Sequence, residues 1–120
     1  MSGITNGAMS DAGGQGSPDD MALYDIDVVV DRIEGRSVCG MRVGDRFGVT
    51  ESSRLSTTSG HFCLYAIQAV LPMIPAKQRP LPAGDWLEKD SEVACPDPEE
   101  RLIMRIERGE LRSMRSEDLT

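Results

Sequence analysis

One apolar stretch, residues 61–74, constrains the fold of this chain more than any other. Its apolar side chains recur with the 3.6-residue period of an α-helix, which places them on one face. The members of this face are Cys63, Ala66, Ile67, Val70, Leu71 and Ile74. Pro72 and Pro75 lack backbone donors, so we expect a kink or an end of the helix between residues 71 and 76. The sequence therefore predicts one main amphipathic helix over about residues 60–75.

The segments on either side of this helix alternate between apolar and polar residues, as strands with one solvent-facing side do. These segments are residues 23–33, 41–50 and 101–107. Residues 51–59 are polar and rich in serine and threonine, which indicates a loop. No repeated strand–helix units call for parallel strands. We therefore expect an α+β fold in which a small antiparallel sheet of three to four strands carries the main helix.

The two ends of the chain differ in composition from its middle. Residues 1–21 are mostly small and polar, and such a segment buries too little apolar surface to offset the entropy of ordering. Residues 109–120 are rich in charge. We expect a disordered N-terminal tail over residues 1–21, a single α+β domain over 22–108 and a frayed C-terminal tail over 109–120.

The formal net charge of −7 bears on the kind of partner that this chain can have. Nucleic acids and anionic membranes repel an acidic protein, so neither is an expected partner. No apolar stretch has the length of a membrane span, and no basic segment followed by an apolar run marks a secretory signal. The expected location is the cytoplasm, where the three cysteines would remain free thiols.

Several short motifs occur in an order that matches one protein family. They are Gly35–Cys39, Val43–Phe47, Cys63 at the start of an apolar helix that ends in Leu71-Pro72, and Cys95–Pro98 before the closing strand. With these motifs the chain resembles the small bacterial proteins of the TIGR04076 family over about residues 24–108. The resemblance implies the fold and the cysteine positions, and it implies no reaction.

The three cysteines, Cys39, Cys63 and Cys95, are the main candidates for a site. Cys63 is predicted to lie in the first helical turn, where the helix dipole favours a thiolate, and His61 lies two residues earlier. Three thiols and one imidazole form the ligand set of a zinc site, and three thiolates would suit an iron–sulfur cluster with an outside ligand. However, the chain has none of the close cysteine pairs that are typical of structural zinc sites. Free cysteines are also often simply buried apolar residues.

Three functions are consistent with these residues. The hypothesis that we favour is a small accessory protein that holds a metal or a reactive thiol cluster for a larger enzyme or a biosynthetic pathway. The second is a small biosynthetic enzyme with Cys63 as reactive thiol and with His61 and Asp97 in support, although Asp97 is also a typical turn residue. The third is a structural interaction domain with inert, buried cysteines.

Overall fold

The computed structural model describes residues 20–58 and 60–119, which form a five-stranded antiparallel sheet with helices packed on one face. The strands are β1 (Asp20–Ile33), β2 (Arg46–Thr50), β3 (Arg54–Thr57), β4 (Glu92–Ala94) and β5 (Leu102–Arg115). In the sheet they follow the order β3-β2-β1-β5-β4. The first and last strands are therefore central neighbours, with Val28 opposite Ile106.

The main helix consists of three helical pieces in direct succession. They are α1 (Leu64–Val70), a 3₁₀ turn (Leu71–Met73) and α2 (Ile74–Lys77). Both prolines stand at the start of a new piece, where a missing N–H costs no hydrogen bond. In place of the kink or end that was expected between residues 71 and 76, the helix changes type, and the helical path continues to Lys77. A further short helix, α3 (Trp86–Lys89), begins after Asp85, whose side chain accepts a hydrogen bond from the backbone N–H of Leu87.

The fold is α+β as predicted, but the described residues contain five strands where three to four were expected. The missed strand β3 lies in the segment that was predicted to be a loop. All four of its residues are exposed, so no apolar alternation marks it as a strand. β4 has only three residues, which is too short for a pattern.

The ordered part of the chain is longer than the predicted domain over residues 22–108. β1 begins at Asp20, and β5 continues through Arg115 into a 3₁₀ turn at Ser116–Asp118. Residues 109–115 therefore belong to the sheet, where a frayed tail was expected. Their charged side chains find partners across the strands, as in the pair of Arg112 with Asp25. The rest of the predicted N-terminal tail, residues 1–19, lies outside the described residues.

The core lies between the sheet and the main helix. The buried helix residues Ala66, Val70 and Ile74 belong to the face that the 3.6-residue period predicted. They pack against strand residues that include Val28, Phe47, Leu102 and Met104. The ring of Phe62, just before α1, meets Phe47 edge-on at 4.9 Å between centroids. These contacts fix the start of the helix, and with it Cys63, against the sheet.

The opposite face of the sheet carries ion pairs between strands. Nε of Arg112 lies 2.9 Å from both carboxylate oxygens of Asp25. Hydrogen bonds from Arg112 hold the pKa of Asp25 below its usual value of 3.8, against the opposing effect of burial, and the backbone N–H of Glu51 adds to this. Because the pKa is lowered on folding, the stabilisation is present above about pH 4 and is lost as the pH falls through the folded-state pKa.

We therefore expect the free energy of unfolding of the variant Asp25→Asn to fall less on acidification than that of the wild type. The difference in the free energy of unfolding between the two proteins should be greatest above about pH 5 and should narrow as the pH is lowered to about 2.5. Urea denaturation at a series of pH values measures this difference. A gap of constant size over the whole range would contradict the prediction.

Candidate thiol site

The three cysteines line one cavity. Cys39 lies in the loop after β1, Cys63 immediately precedes α1, and Cys95 directly follows β4. The cavity has a volume of about 380 Å³ and is open to solvent. Its lining, here called the thiol pocket, consists of Val38, Cys39, Cys63, Tyr65, Cys95, Pro96, Asp97 and Glu100. The sequence placed these cysteines in three separate segments, and the fold brings them to one place.

The order of the strands explains this convergence. Where β1 ends and β5 begins, the two strands are paired, with Ile33 opposite Leu102. The backbone N–H of Gly35 continues the pairing to the carbonyl of Glu100 at 3.0 Å. On the other side of β5, the N–H of Cys95 bonds to the carbonyl of Leu102 at 2.9 Å. The loop after β1, the turn before β5 and the end of β4 are therefore held together.

A carboxylate that sequence reasoning missed lies at the centre of the pocket. Glu100 is only 1% exposed. Its Oε2 accepts hydrogen bonds from the hydroxyl of Ser37 at 2.7 Å and from the thiol of Cys39 at 3.1 Å. The thiol of Cys95 is a further donor to this carboxyl group. Among the described residues, no cation forms a salt bridge with Glu100, so its negative charge is compensated by neutral donors.

These contacts decide where the protons are. Burial acts to raise the pKa of Glu100, but the hydrogen bonds from Ser37, Cys39 and Cys95 outweigh it and hold the pKa below its usual range. Burial raises the pKa of Cys39 to about 12, and the neighbouring Glu100 and Cys63 add to the rise. Burial also raises the pKa of Cys95. At neutral pH the pocket thus holds a carboxylate and two protonated thiols that donate to it.

Cys63 differs from the other two cysteines. It is partly exposed, and the side-chain hydrogen bonds that Glu100 accepts within the described part of the chain come from Ser37, Cys39 and Cys95. It is the N-cap residue of α1, one position before the first helical turn in which it was predicted. Its N–H is 3.4 Å from Sδ of Met41, and its carbonyl accepts from the N–H of Ile67 at 3.0 Å. The backbone of Cys63 is therefore fixed from both sides, whereas its thiol faces the pocket and the thiol of Cys39.

The side chains of the other predicted site residues, His61 and Asp97, form hydrogen bonds with backbone atoms. Nε2 of the exposed His61 lies 3.0 Å from the carbonyl oxygen of Cys39. The side chain of Asp97 lines the pocket, and its Oδ1 accepts from the N–H of Glu99 at 2.9 Å, as in a typical turn. His61 thus steadies the loop that carries Cys39, and Asp97 shapes the turn that presents Glu100.

The predicted metal ligands share a region without forming a coordination group. Within residues 20–58 and 60–119, no set of three or more histidine, cysteine, aspartate or glutamate side chains is arranged to hold a metal ion. Two of the three thiols are directed to a carboxylate instead.

In the same part of the chain, no helix combines the length and the apolar character needed to cross a membrane.

Three comparisons with known proteins gave no match, whether with family models, curated proteins or solved structures. The geometry of the thiol pocket is therefore the main indication of function.

Proposed function

We propose that this protein is a small accessory protein whose function lies in the thiol pocket, where Cys63 is the reactive thiol. The observation that carries the proposal is the buried carboxylate of Glu100, surrounded by thiols from separate segments in an open cavity. Burying a charge costs free energy unless it is compensated. Inert cysteines need only an apolar environment. A buried carboxylate that accepts hydrogen bonds from thiols is more than such inert cysteines require.

The walls of the pocket indicate the kind of ligand that it would take. A volume of about 380 Å³ lies within the range of small-molecule sites. Val38, Tyr65 and Pro96 contribute apolar surface, so a small molecule with an apolar body fits. Val38 and Tyr65 are 52% and 62% exposed, and Leu64, beside Tyr65 in the chain, is 70% exposed. Exposed apolar residues around a pocket are typical of a surface that a partner covers, which favours an accessory role beside a larger enzyme.

In the native protein we expect iodoacetamide at about pH 7 to label Cys63 and to spare Cys39 and Cys95. Alkylation requires a thiolate, and the pKa values of Cys39 and Cys95 are raised by burial. Intact-mass analysis should show one label per chain, and peptide mapping should place it on Cys63. After denaturation all three cysteines should be labelled.

Two variants serve as controls for this experiment. Cys63→Ser should take up no label in the native state, whereas Cys95→Ser should still be labelled on Cys63. Native wild-type protein without any label would favour inert, buried cysteines. Near-stoichiometric zinc or iron in anaerobically purified protein, lost in Cys63→Ser, would contradict the proposal and restore the metal hypothesis.

A further inference from the structure

The thiol of Cys39 has a reactive neighbour on each side. On one side it donates a hydrogen bond to Oε2 of Glu100 at 3.1 Å. On the other side the thiol of Cys63 lines the same pocket, near enough to add to the rise in the pKa of Cys39. Both cysteines are partly exposed and line the same open cavity. Two thiols and a proton acceptor, Cys63, Cys39 and Glu100, thus lie in one pocket.

We propose that the thiol pocket carries out thiol–disulfide exchange with a small organic disulfide. In this scheme Cys63 is the attacking thiol, Cys39 is the resolving thiol and Glu100 accepts the proton of Cys39. The inference rests on the proposed function, because it uses Cys63 as the reactive thiol. It adds a reaction class, a substrate class and a role for the buried carboxylate.

The exchange takes place in two steps. In the first, the thiolate of Cys63 attacks one sulfur of the disulfide, a mixed disulfide forms, and the other half of the substrate leaves as a thiolate that takes up the proton lost by Cys63. In the second, Sγ of Cys39 attacks Sγ of Cys63 while its proton passes to Glu100. The bond between Cys63 and the substrate breaks, and the second half leaves as a thiolate that takes up the proton from Glu100. The protein loses two electrons and two protons, and the substrate is reduced to two thiols.

Glu100 meets the geometric requirement for the second step. Its Oε2 lies 3.1 Å from Sγ of Cys39, within the reach of a general base. The hydroxyl of Ser37 holds the same oxygen at 2.7 Å, and Ser37 Oγ in turn accepts from the N–H of Met41 at 2.8 Å. The carboxyl group is a far stronger acid than the thiol, so the proton moves only as the new sulfur–sulfur bond forms. The carboxylate is thus fixed beside the thiol that must lose a proton.

Cys95 also donates to Glu100, but it is the less suitable resolving thiol. It is only 6% exposed, and its thiol is surrounded by Glu100 and the backbone of Asp97, which both act on its pKa. Cys39, like Cys63, is partly exposed to the pocket. The disulfide should therefore join Cys39 to Cys63.

The experiment uses bis(2-hydroxyethyl) disulfide, a small neutral probe, with intact-mass analysis and peptide mapping of the quenched reaction. The wild type should lose two hydrogens and contain a Cys39–Cys63 disulfide that dithiothreitol reverses. Cys39→Ser should stop at the mixed disulfide on Cys63, and Cys63→Ser should not react. Glu99→Gln, at the exposed neighbour of Glu100, is the matched control and should form the internal disulfide as the wild type does. In Glu100→Gln the mixed disulfide should accumulate, with the second step slowed by about a hundredfold.

The outcomes separate this inference from the proposed function. A wild type that is alkylated on Cys63 but stops at the mixed disulfide, or whose disulfide contains Cys95, overturns the exchange scheme and leaves the proposed function standing. Absence of alkylation of Cys63 overturns the proposed function itself. A Glu100→Gln variant that is folded by circular dichroism and resolves the mixed disulfide at the wild-type rate shows that Glu100 is not the proton acceptor.

Discussion

Replacing Gly35 with alanine should lower the free energy of unfolding by at least about 3 kcal/mol. A Cβ atom at this position would lie 2.0 Å from the carbonyl oxygen of Glu99 and 2.9 Å from that of Glu100. Both atoms belong to the backbone, so no side-chain rotation relieves the clash. The two segments would have to separate, which breaks the bond from the N–H of Gly35 to Glu100 and the neighbouring bond from Arg36 to Glu99. Urea denaturation followed by circular dichroism measures the loss.

Gly84→Ala is the matched control, because none of the described residues packs within 4 Å of a Cβ at Gly84. Its free energy of unfolding should stay within about 0.5 kcal/mol of the wild type. The Gly35→Ala variant should also expose Cys39 and Cys95 to iodoacetamide, since the displaced segment carries Glu100. Equal stability of the two variants would show that the approach of these backbones is not essential to the fold.

Replacing Glu100 with alanine should lower the free energy of unfolding by about 2–4 kcal/mol. The substitution leaves a void at a site that is 1% exposed. It also leaves the hydroxyl of Ser37 and the thiols of Cys39 and Cys95 without their common acceptor. A buried donor that loses its partner costs more than the hydrogen bond contributed, because it has already given up its contact with water.

Glu99→Ala provides the comparison, because the side chain of Glu99 is 61% exposed and pairs only loosely with Arg36 at 3.5 Å. Removal of this exposed partner should change the stability by less than about 1 kcal/mol. Urea titration of both variants at neutral pH measures the contrast. If Glu100→Ala were as stable as Glu99→Ala, the carboxylate of Glu100 would not be what holds the thiol pocket together.

The parts of the fold that could be predicted are those with a regular apolar period. The 3.6-residue period of the helix and the alternation in β1 are local properties, and both identify most of the buried residues. Leu71 is an exception, because it was predicted on the buried helix face and is 46% exposed. β3 could not be found, because its residues are all exposed and its pairing with β2 comes from backbone hydrogen bonds. The extension of β5 was hidden by its charged residues, which pair with β1.

The candidate site could be predicted only in part. The cysteines were identified by their chemistry, but their meeting depends on the strand order, which no local pattern contains. Glu100 follows Glu99 in a polar turn, and nothing in the sequence tells which of the two is buried. His61 was a candidate ligand because imidazole binds metals, whereas in the fold its ring meets the carbonyl of Cys39.

The pairing of β1 with β5 also determines when the protein can fold. The central pair of the sheet joins an early segment to a late one, with Val28 opposite Ile106, so it cannot form until both have left the ribosome. Contacts between distant segments slow folding, and an apolar strand is prone to aggregation until it pairs with its neighbour. Cys39 and Cys63 are synthesised before Cys95 and Glu100, so they spend that interval without the carboxylate. We therefore expect the nascent chain to depend on a reducing environment until β5 is in place.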